Sequence, residues 1–375
     1  MRVLLFGGSL QGLSCGESLY IAGIDVDAFT DNLQVKKSSY FKNVYPYSIE
    51  KQADKLFDII NNEGYDVIIP MGDVGVSFLS KNKYQIESTY RTKCACPTQD
   101  VLKIVEDKSR FMQFCEENDI PHPYTFSLNE DNIRNNKKTI KYPALIKPNY
   151  SVGARGITKV SSYDELKKLY PVVKEKYGEC TLQEFIDNKE YYYNVMLYRN
   201  SEGKFLAHTI IKIVRMYPIA AGSSTCCISI EDDILLELCK KCLEKLDWKG
   251  MADFDVLQRL DNGEYKIIEI NPRVPASLRS AQISGVNFPE IIACDTVGDI
   301  AKNINYVPGK VLRYLGTDLM WFLKCDRRFK TQPNWFAFWG RNIYYQDIFF
   351  KDPSTWWTWI VMGLIKLRNR KKRIR

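Results

Sequence analysis

The first 95 residues alternate between short apolar runs and amphipathic segments. Apolar runs at 3–6, 24–30 and 66–70 predict buried β-strands, and helices are predicted from about Leu10 and over 50–62. Strands that alternate with helices in this way are typical of a parallel sheet covered by helices. We therefore expect a parallel α/β domain over residues 1–97.

A different pattern follows in residues 98–305, where strands outnumber helices. Leu102, Val105 and Phe111 recur at helical spacing and predict one helix over 98–119, and a charged amphipathic helix is predicted over 164–177. Strands are predicted at 142–148, 181–186 and 207–214. This segment is expected to form a second domain, of the α+β class, and residues 306–375 a C-terminal extension.

The strongest local signal is a β-hairpin over residues 250–273, with its turn near Asn262-Gly263. A two-residue loop would place Asp255 opposite Ile270. A three-residue loop, 261–263, would place Asp255 opposite Glu269. We expect the three-residue loop, because it separates an apolar face from a face of oxygen-bearing side chains.

In the hairpin with the three-residue loop, side chains alternate between the two faces. The apolar face would consist of Phe254, Val256, Ile268 and Ile270, and the polar face of Asp253, Asp255, Glu269 and Asn271. Closely packed carboxylate and amide oxygens favour a hard cation such as Mg²⁺, with phosphate oxygens completing its shell. The alternative is a surface hairpin with solvated acids.

Arg273 follows this hairpin directly, after a proline that restricts its backbone. Its planar guanidinium can bind a phosphate or carboxylate through two parallel hydrogen bonds. Arg273 is therefore a candidate for binding a phosphate or carboxylate, and the family resemblance described below implies a catalytic role for it.

A second phosphate-binding signal lies at residues 147–157. Lys147 ends a predicted strand, and a loop with Gly153, Ala154, Arg155 and Gly156 leads into the next strand. Such a loop can fold over phosphates with its backbone N–H groups as donors, while the lysine neutralises their charge. A plain hairpin tip with an exposed lysine is the alternative.

The segment 181–190 contains a strand and a short linker whose backbone groups could bind an adenine edge. Glu190 could accept hydrogen bonds from ribose hydroxyls, although a solvated turn acid is the simpler interpretation. Further along, Lys212 and Arg215 suit an anionic substrate or a terminal phosphate, and ordinary surface charge is equally compatible.

The order of these parts resembles the ATP-grasp superfamily of carboxylate–amine ligases, which includes the large subunit of carbamoyl phosphate synthetase. The resemblance covers about residues 1–305 and implies a two-lobed ATP-grasp fold with a lid lobe at about 140–185. Its most specific motif is Glu269-Ile-Asn-Pro-Arg273.

Several site residues follow from this resemblance. It implies that Lys108 and Lys147 contact ATP phosphates under the loop Gly153–Gly156, and that Asp255, Glu269 and Asn271 bind Mg²⁺ or Mn²⁺. Its hinge motif maps to Gln183, Glu184, Phe185 and Ile186, with Glu190; Gln183 replaces the usual glutamate. Lys212, Arg215 and Arg273 match positions that meet phosphate or substrate.

The implied reaction is ATP-dependent ligation. A carboxylate becomes an acylphosphate, an amine attacks it, and phosphate leaves. A small-molecule carboxylate and amine would be the substrates, in surface-polysaccharide or small-peptide biosynthesis. The alternatives are a nucleotide-binding regulatory or scaffold protein without turnover, and an NAD-dependent oxidoreductase based on the turn Gly7–Gly12. That turn departs from the dinucleotide fingerprint at Ser9.

Composition narrows the remaining possibilities for the partners and the cellular location of the protein. The chain has 375 residues and a net charge of +8, but its last ten residues carry seven Lys or Arg, so the rest is nearly neutral and nucleic acid is not an expected partner. We expect a cytoplasmic protein with eleven reduced cysteines, and we expect Cys239 and Cys242 in the core.

Six of the seven tryptophans lie after residue 320. The apolar run 356–365 is about half of the ~20 residues that a membrane span needs, and a basic cluster follows it. Tryptophan-rich surface beside cations suits a peripheral membrane contact through 354–375. A helix packed on the enzyme with a solvated tail is the alternative. The oligomeric state is not determined by the sequence.

Overall fold

The computed structural model describes residues 1–47, 52–150, 155–188, 191–219, 222–302 and 304–368, with the backbone alone at 359 and 362–368. Its strands are β1 (Arg2–Phe6), β2 (Asp25–Phe29), β3 (Val44–Tyr45), β4 (Val67–Pro70), β5 (Lys93–Cys94), β6 (Thr125–Ser127), β7 (Ala144–Pro148), β8 (Thr158–Val160), β9 (Cys180–Glu184), β10 (Tyr192–Arg199), β11 (Phe205–Tyr217), β12 (Ser223–Ile230), β13 (Gly250–Gln258), β14 (Tyr265–Asn271), β15 (Val311–Arg313) and β16 (Ile343–Tyr345). Its helices are α1 (Leu10–Ile21), α2 (Leu33–Lys37), α3 (Gln52–Glu63), α4 (Asp73–Thr89), α5 (Gln99–Glu106), α6 (Lys108–Glu117), α7 (Glu130–Asn135), α8 (Tyr163–Tyr177), α9 (Asp233–Lys245), α10 (Leu278–Ile283), α11 (Phe288–Val297), α12 (Leu315–Lys324) and α13 (Pro353–Arg368).

Three sheets organise the chain. The N-terminal sheet has the order β3-β2-β1-β4-β5, and all its pairs are parallel, which confirms the predicted parallel α/β architecture. A four-stranded sheet, β6-β9-β7-β8, is antiparallel. The large sheet has the order β14-β13-β10-β11-β12-β15-β16. The mixed α/β and α+β fold class is therefore present, and the two further sheets correspond to the two expected lobes.

Apolar side chains cover both faces of the large sheet. On one face Val195, Phe254 and Val256 pack in a core that also contains Leu235 and Leu243 of α9. On the opposite face, Met196 and Ile211 share a core with side chains of α10 and α11. Outside the polar site, both faces of the large sheet are therefore buried. This burial explains why β10 and β11 carry long apolar runs.

The predicted helix over 98–119 is divided into α5 and α6. Asp107 lies between them with extended backbone angles, φ −94° and ψ 111°, and its side chain accepts hydrogen bonds from the N–H groups of Ser109 and Arg110. Aspartate at an N-cap satisfies donors that a helix cannot satisfy internally. The periodic apolar pattern continues through this break, so it did not reveal the break.

The C-terminal extension is more integrated than its sequence indicated. Strands β15 and β16 extend the large sheet beyond β12. The start of α13 packs on α2: Ser354 Oγ donates to the carbonyl of Lys37, and Asp352 accepts from the N–H of Ser39 at 2.9 Å. These contacts agree with the alternative of a helix packed on the enzyme. Within the described ranges, no helix is both long and apolar enough to cross a bilayer.

All eleven cysteines are buried free thiols. Cys239 and Cys242 of α9 lie fully buried in the core, as expected, and burial raises the pKa of the Cys239 thiol well above the usual value. For Cys242 a hydrogen bond with Cys115, and then burial, raise the pKa well above the usual value. A neutral, apolar-packed thiol is a poor nucleophile and a poor metal ligand.

Candidate functional site

Four polar side chains meet on one face of the β13–β14 hairpin. Asp255 pairs with Glu269 and Asp253 pairs with Asn271, as the alternating pattern predicts. The amide of Asn271 donates to Asp253 Oδ2 at 3.4 Å. Strand pairing therefore places three acids and one amide side by side.

The hairpin loop differs from the expected one. The N–H of Arg259 donates to the carbonyl of Glu264 at 2.9 Å, and Gly263, with φ +75°, donates back to the carbonyl of Arg259 at 3.0 Å. These bonds enclose a four-residue loop, 260–263, so the prediction of a three-residue loop was wrong. A loop of this length alone would shift the pairing by one residue.

A β-bulge restores the pairing of the acids. The register changes between Asp255 and Val256, which lies opposite Ile267, so Ile268 is the additional residue. Ile267 is fully buried and Ile268 is only partly buried, which corrects the predicted apolar face. The loop and the bulge compensate each other, and Asp255 lies opposite Glu269 for a reason that alternation did not show.

Two lysines approach these acids from other elements. Lys108 is the first residue of α6, and its Nζ lies 3.9 Å from Glu269 Oε2. Lys147 lies on β7 and is 8% exposed. The pKa of Lys147 is lowered to about 8, chiefly by burial and also by the neighbouring Lys108, against the opposing effect of Glu269 and Asp255. Both lysines therefore belong to one electrostatic cluster with the acids.

The carboxylates of this cluster strongly affect each other. Burial raises the pKa of Asp255 well above its usual value, and the neighbouring Glu269 and Asp253 add to the shift. Burial would also raise the pKa of Glu269, but its hydrogen bond with Asp255 and the cations Lys108, Lys147 and Arg273 lower it overall. The pair therefore shares one proton readily, as two acids at close range do.

This donor set fits a hard divalent cation. Asp255, Glu269 and Asn271 offer carboxylate and amide oxygens, and a bound cation would remove the repulsion that raises the pKa of Asp255. Within the described ranges, no group of three or more His, Cys, Asp or Glu side chains is arranged as a metal site. The predicted set contains only two acids, so phosphate oxygens and water would have to complete the shell.

Arg273 connects this cluster to the N-terminal sheet. Its Nε lies 2.9 Å from Asp73 Oδ1, and its terminal nitrogen donates to Asn271 Oδ1 at 3.1 Å. Asp73 is the first residue of α4, directly after β4 and Gly72. The guanidinium is thus positioned beside a predicted metal ligand, with a carboxylate from another sheet holding it.

Sequence reasoning missed two residues of this site and undervalued a third. Asn194 of β10 donates an amide hydrogen bond to Asp255, and Asp73 holds Arg273. Asp253 is 3% exposed, and burial raises its pKa to about 7. Both Asn194 and Asp73 lie far from their partners in the sequence, so no local pattern indicated either of them.

The small sheet presents a second polar face. Lys147 pairs with Thr181, and Gln183 pairs with both Leu145 and Thr125, on the side away from the apolar core of this sheet. The Gln183 amide donates to Thr125 Oγ1 at 3.1 Å. Lys147 and Gln183 therefore lie on the same surface, as a nucleotide bound between the sheets would require.

The hinge residues after Gln183 have mixed environments. The Glu184 carboxylate pairs with Arg259 and accepts from the N–H of Tyr124, and the N–H of Glu184 donates to the carbonyl of Tyr124 at 2.8 Å. Lys159 Nζ lies 3.9 Å from the ring centre of Phe185, and Ile186 is buried. The predicted ribose ligand Glu190 lies outside the described residues.

The glycine loop is described only at its end. Gly153 and Ala154 lie outside the described residues, and Arg155 is exposed. Gly156 has φ +78°, and a Cβ there would lie 2.8 Å from Pro148 Cγ and 2.9 Å from Tyr177 Cδ2. This position therefore requires glycine for both its backbone angle and its space.

Two predicted cations are not brought to the site. Lys212 pairs with Tyr193 on the face of the large sheet opposite to Asp255, and its Nζ lies 4.5 Å from the ring centre of Tyr191. Arg215 is 1% exposed and bonds Asp318 through Nε at 2.7 Å. A register irregularity in β11 between Ile213 and Arg215 changes the face on which the Arg215 side chain lies, and places it beside Asp318 of α12. Neither Lys212 nor Arg215 therefore lies with Asp255 and Glu269, where the predicted phosphate site would be.

The N-terminal glycine turn is closely packed. A Cβ on Gly8 would lie 3.1 Å from Gly12 Cα and 3.3 Å from Met71 Cβ, and the Gln11 amide donates to the carbonyl of Met71 at 2.9 Å. Asp31, two residues after β2, pairs with Lys36 at 3.0 Å. In this turn the glycines therefore serve close packing of α1 against the residue that follows β4.

The geometry agrees with comparisons to known proteins. Residues 105–277 match the model of an ATP-grasp domain. Similar sequences include the arginine-specific carbamoyl phosphate synthase large chain of Geobacillus stearothermophilus, 25% identical over 58% of this chain and 22% of that protein. The D-aspartate ligase of Enterococcus faecium is 23% identical over 62% of this chain and 58% of that protein. The chain thus spans less than two thirds of these relatives.

Solved structures show the same fold. Biotin carboxylase from Campylobacter jejuni, in complex with β,γ-ATP, superposes with a TM-score of 0.68 at 18% identity, covering 82% of this chain and 74% of that one. N5-carboxyaminoimidazole ribonucleotide synthetase from Thermotoga maritima gives 0.61 at 18% identity, covering 82% and 79%. These likenesses define the class of fold: an α/β domain followed by a two-lobed nucleotide-binding type of fold.

More specifically, the matched segment, residues 105–277, is a domain of the ATP-grasp type. The resemblance to the superfamily predicted from the sequence is confirmed.

Proposed function

We propose that this protein is an ATP- and Mg²⁺-dependent ligase that activates a carboxylate as an acylphosphate and joins it to an amine. One observation carries the proposal. Lys108 and Lys147, from a helix and the small sheet, share one electrostatic cluster with Asp255 and Glu269 of the large sheet. In such a cluster the lysines can bind phosphate oxygens while the carboxylates bind a divalent cation.

The residues have separable roles. Lys108 and Lys147 would neutralise phosphate oxygens, and Gln183 with the hinge backbone would orient the base. Asp255, Glu269 and Asn271 would hold Mg²⁺, which supplies charge stabilisation on the transferred phosphoryl group when bound. Arg273, fixed by Asp73, would stabilise the charge that develops when the acyl oxygen accepts the phosphoryl group.

The substrates are proposed from the relatives. A D-aspartate ligase among them supports an amino acid or similar small carboxylate, and an amine as nucleophile. Surface-polysaccharide or small-peptide biosynthesis stays a prediction, as does a cytoplasmic location. Mg²⁺ with ATP is the proposed cofactor pair.

The test is phosphate release from Mg-ATP across a panel of amino acids, sugar acids and amino sugars. Release that requires both a carboxylate and an amine supports the ligase. Mg-ATP binding without release in any mixture would favour the nucleotide-binding regulatory or scaffold protein instead. Absence of Mg-ATP binding by calorimetry would contradict both.

Substitution connects the activity to the site. Lys147→Ala should weaken nucleotide binding at least about tenfold, whereas Lys141→Ala, an exposed lysine six residues earlier, should not change it. If both variants bind and turn over ATP like the wild type, the assigned site is wrong.

A further inference from the structure

An exposed apolar surface lies on the C-terminal extension, away from the predicted ligase site. Helix α12 buries Asp318, Trp321 and Cys325 against the large sheet. One turn apart on its other side, Leu319 is 48% exposed and Leu323 is 60% exposed. Isolated exposed leucines are common, but these two lie beside a cluster of aromatic rings.

The rings around Phe322 form one connected cluster. Phe322 stacks on Trp335 with ring centres 4.0 Å apart, and Phe329 and Phe336 meet its edges at 5.6 and 5.7 Å. The outer members face solvent: Phe329 is 64% exposed, Phe336 56% and Trp339 89%. We call Leu319, Leu323, Phe329, Phe336 and Trp339 the aromatic patch.

The aromatic patch has a rigid base. Arg215 and Arg313 both bond Asp318, at 2.7 Å each, and all three side chains are about 1% exposed. The Arg313 guanidinium also lies 5.6 Å from the ring centre of Trp335. These buried ion pairs hold the base of the ring cluster in a fixed position. The exposed rings therefore belong to the ordered structure and are not part of a loosely attached loop.

Cations surround the aromatic patch. Residues 319–341 carry five of them, Lys324, Arg327, Arg328, Lys330 and Arg341, and a single acid, Asp326. All but Arg328 are exposed. Aromatic side chains prefer the headgroup region of a bilayer, and exposed cations are attracted by anionic lipids at about 1 kcal/mol each.

We propose that the aromatic patch is a contact surface for an anionic lipid bilayer. Aromatic and leucine side chains would enter the headgroup region, and the surrounding cations would bind anionic headgroups. This complementarity of charge and apolar surface selects lipid over an acidic partner, which would leave the exposed rings in water. The surface differs from the predicted contact through 354–375, and it does not depend on the ligase activity.

The test is co-sedimentation of the full chain with vesicles, without nucleotide. Vesicles with about one third phosphatidylglycerol in phosphatidylcholine should bind the wild type at least tenfold more strongly than pure phosphatidylcholine, and added salt should weaken binding. Trp339→Ser and Leu323→Ser should each reduce binding about tenfold, because each removes apolar surface from the contact. Lys330→Glu should reduce it only for the anionic vesicles.

Phe350→Ser is the matched control, since Phe350 is 81% exposed outside the aromatic patch. It should bind like the wild type. Three results would overturn the proposal: no binding to anionic vesicles, equal loss in the Phe350 variant, or undiminished binding by Trp339→Ser, which would assign the contact to the basic tail. A wild type that dimerises in solution while Trp339→Ser is monomeric would assign the surface to a second copy instead. Circular dichroism of each variant shows whether it is folded.

Discussion

Replacing Lys147 by methionine should stabilise the nucleotide-free protein and at the same time weaken ATP binding. The pKa of Lys147 is lowered from its ordinary 10.5 to about 8, chiefly by burial. A difference of this size corresponds to about 3 kcal/mol by which the folded protein disfavours the charged form. Methionine has a similar length and no charge, so the variant should gain up to about 3 kcal/mol of folding free energy at pH 7.

The same substitution should cost affinity for ATP. A charge-assisted hydrogen bond to a phosphate contributes about 1.5–3 kcal/mol, which corresponds to roughly 10- to 150-fold in Kd. The pH dependence separates this effect from simple damage. Wild-type affinity should fall as the pH rises past about 8, where Lys147 loses its proton, and the affinity of the methionine variant should not follow this fall.

The folding stability of the wild type should rise with pH, whereas its affinity for ATP falls. The folded protein releases the Lys147 proton near pH 8, and the unfolded chain releases it near 10.5, so the unfolded state binds more protons between these values. Wild-type stability therefore gains a contribution as the pH rises through this window, and the methionine variant lacks it.

Scanning calorimetry of the nucleotide-free proteins and titration calorimetry with Mg-ATP at pH 7 to 9 measure both effects. Lys141→Met, on an exposed lysine before the same strand, is the control and should change neither. A methionine variant that melts below the wild type, or that binds ATP within threefold of it, would refute the reasoning.

Three further substitutions test other parts of the structure. Glu269→Gln should lower Mg²⁺-dependent phosphate release by about 100-fold or more, because a carboxylate ligand is lost. Glu264→Gln, at an exposed acid of the same hairpin, is the control and should release phosphate at the wild-type rate. Equal rates in the two variants would show that Glu269 is not part of the site. Asp318→Asn should destabilise the protein by about 3–5 kcal/mol in urea unfolding, because two buried arginines lose their counter-charge, and a change below about 1 kcal/mol would contradict the buried ion pairs. Gly156→Ala should raise the KM for ATP and lower the melting temperature, with about 1–3 kcal/mol of strain, because its Cβ would lie 2.8 Å from Pro148; unchanged values would contradict the loop geometry.

Local patterns predicted much of the fold. Strand and helix alternation over the first 95 residues gave the parallel sheet, because a buried strand is a short apolar run whatever its partners are. The cysteines of α9 were placed correctly for a similar reason, since helical spacing shows which side chains share a face. The break at Asp107 was missed, because its cap interrupts the backbone without interrupting the apolar period.

The site was predicted less evenly. Asp255, Glu269 and Asn271 share a face as expected, but a four-residue loop and a bulge at Ile268 produce that pairing together. Arg215 could not be placed from spacing, because the register of β11 shifts on both sides of it and so changes the face on which side chains lie. Lys212 precedes these shifts, and its face was decided by the pairing of β11 with β10.

The sequence by itself determined which residue types could bind a nucleotide and in which order their elements occur. Alternation, turn residues and helical spacing act over a few residues, so they are legible in a single chain. The tertiary structure alone decided that Asp73 holds Arg273 across 200 residues, that Asn194 supports Asp255, and that β15 and β16 join the large sheet. These contacts join distant segments, and their energies depend on burial and approach in three dimensions, which no local pattern encodes.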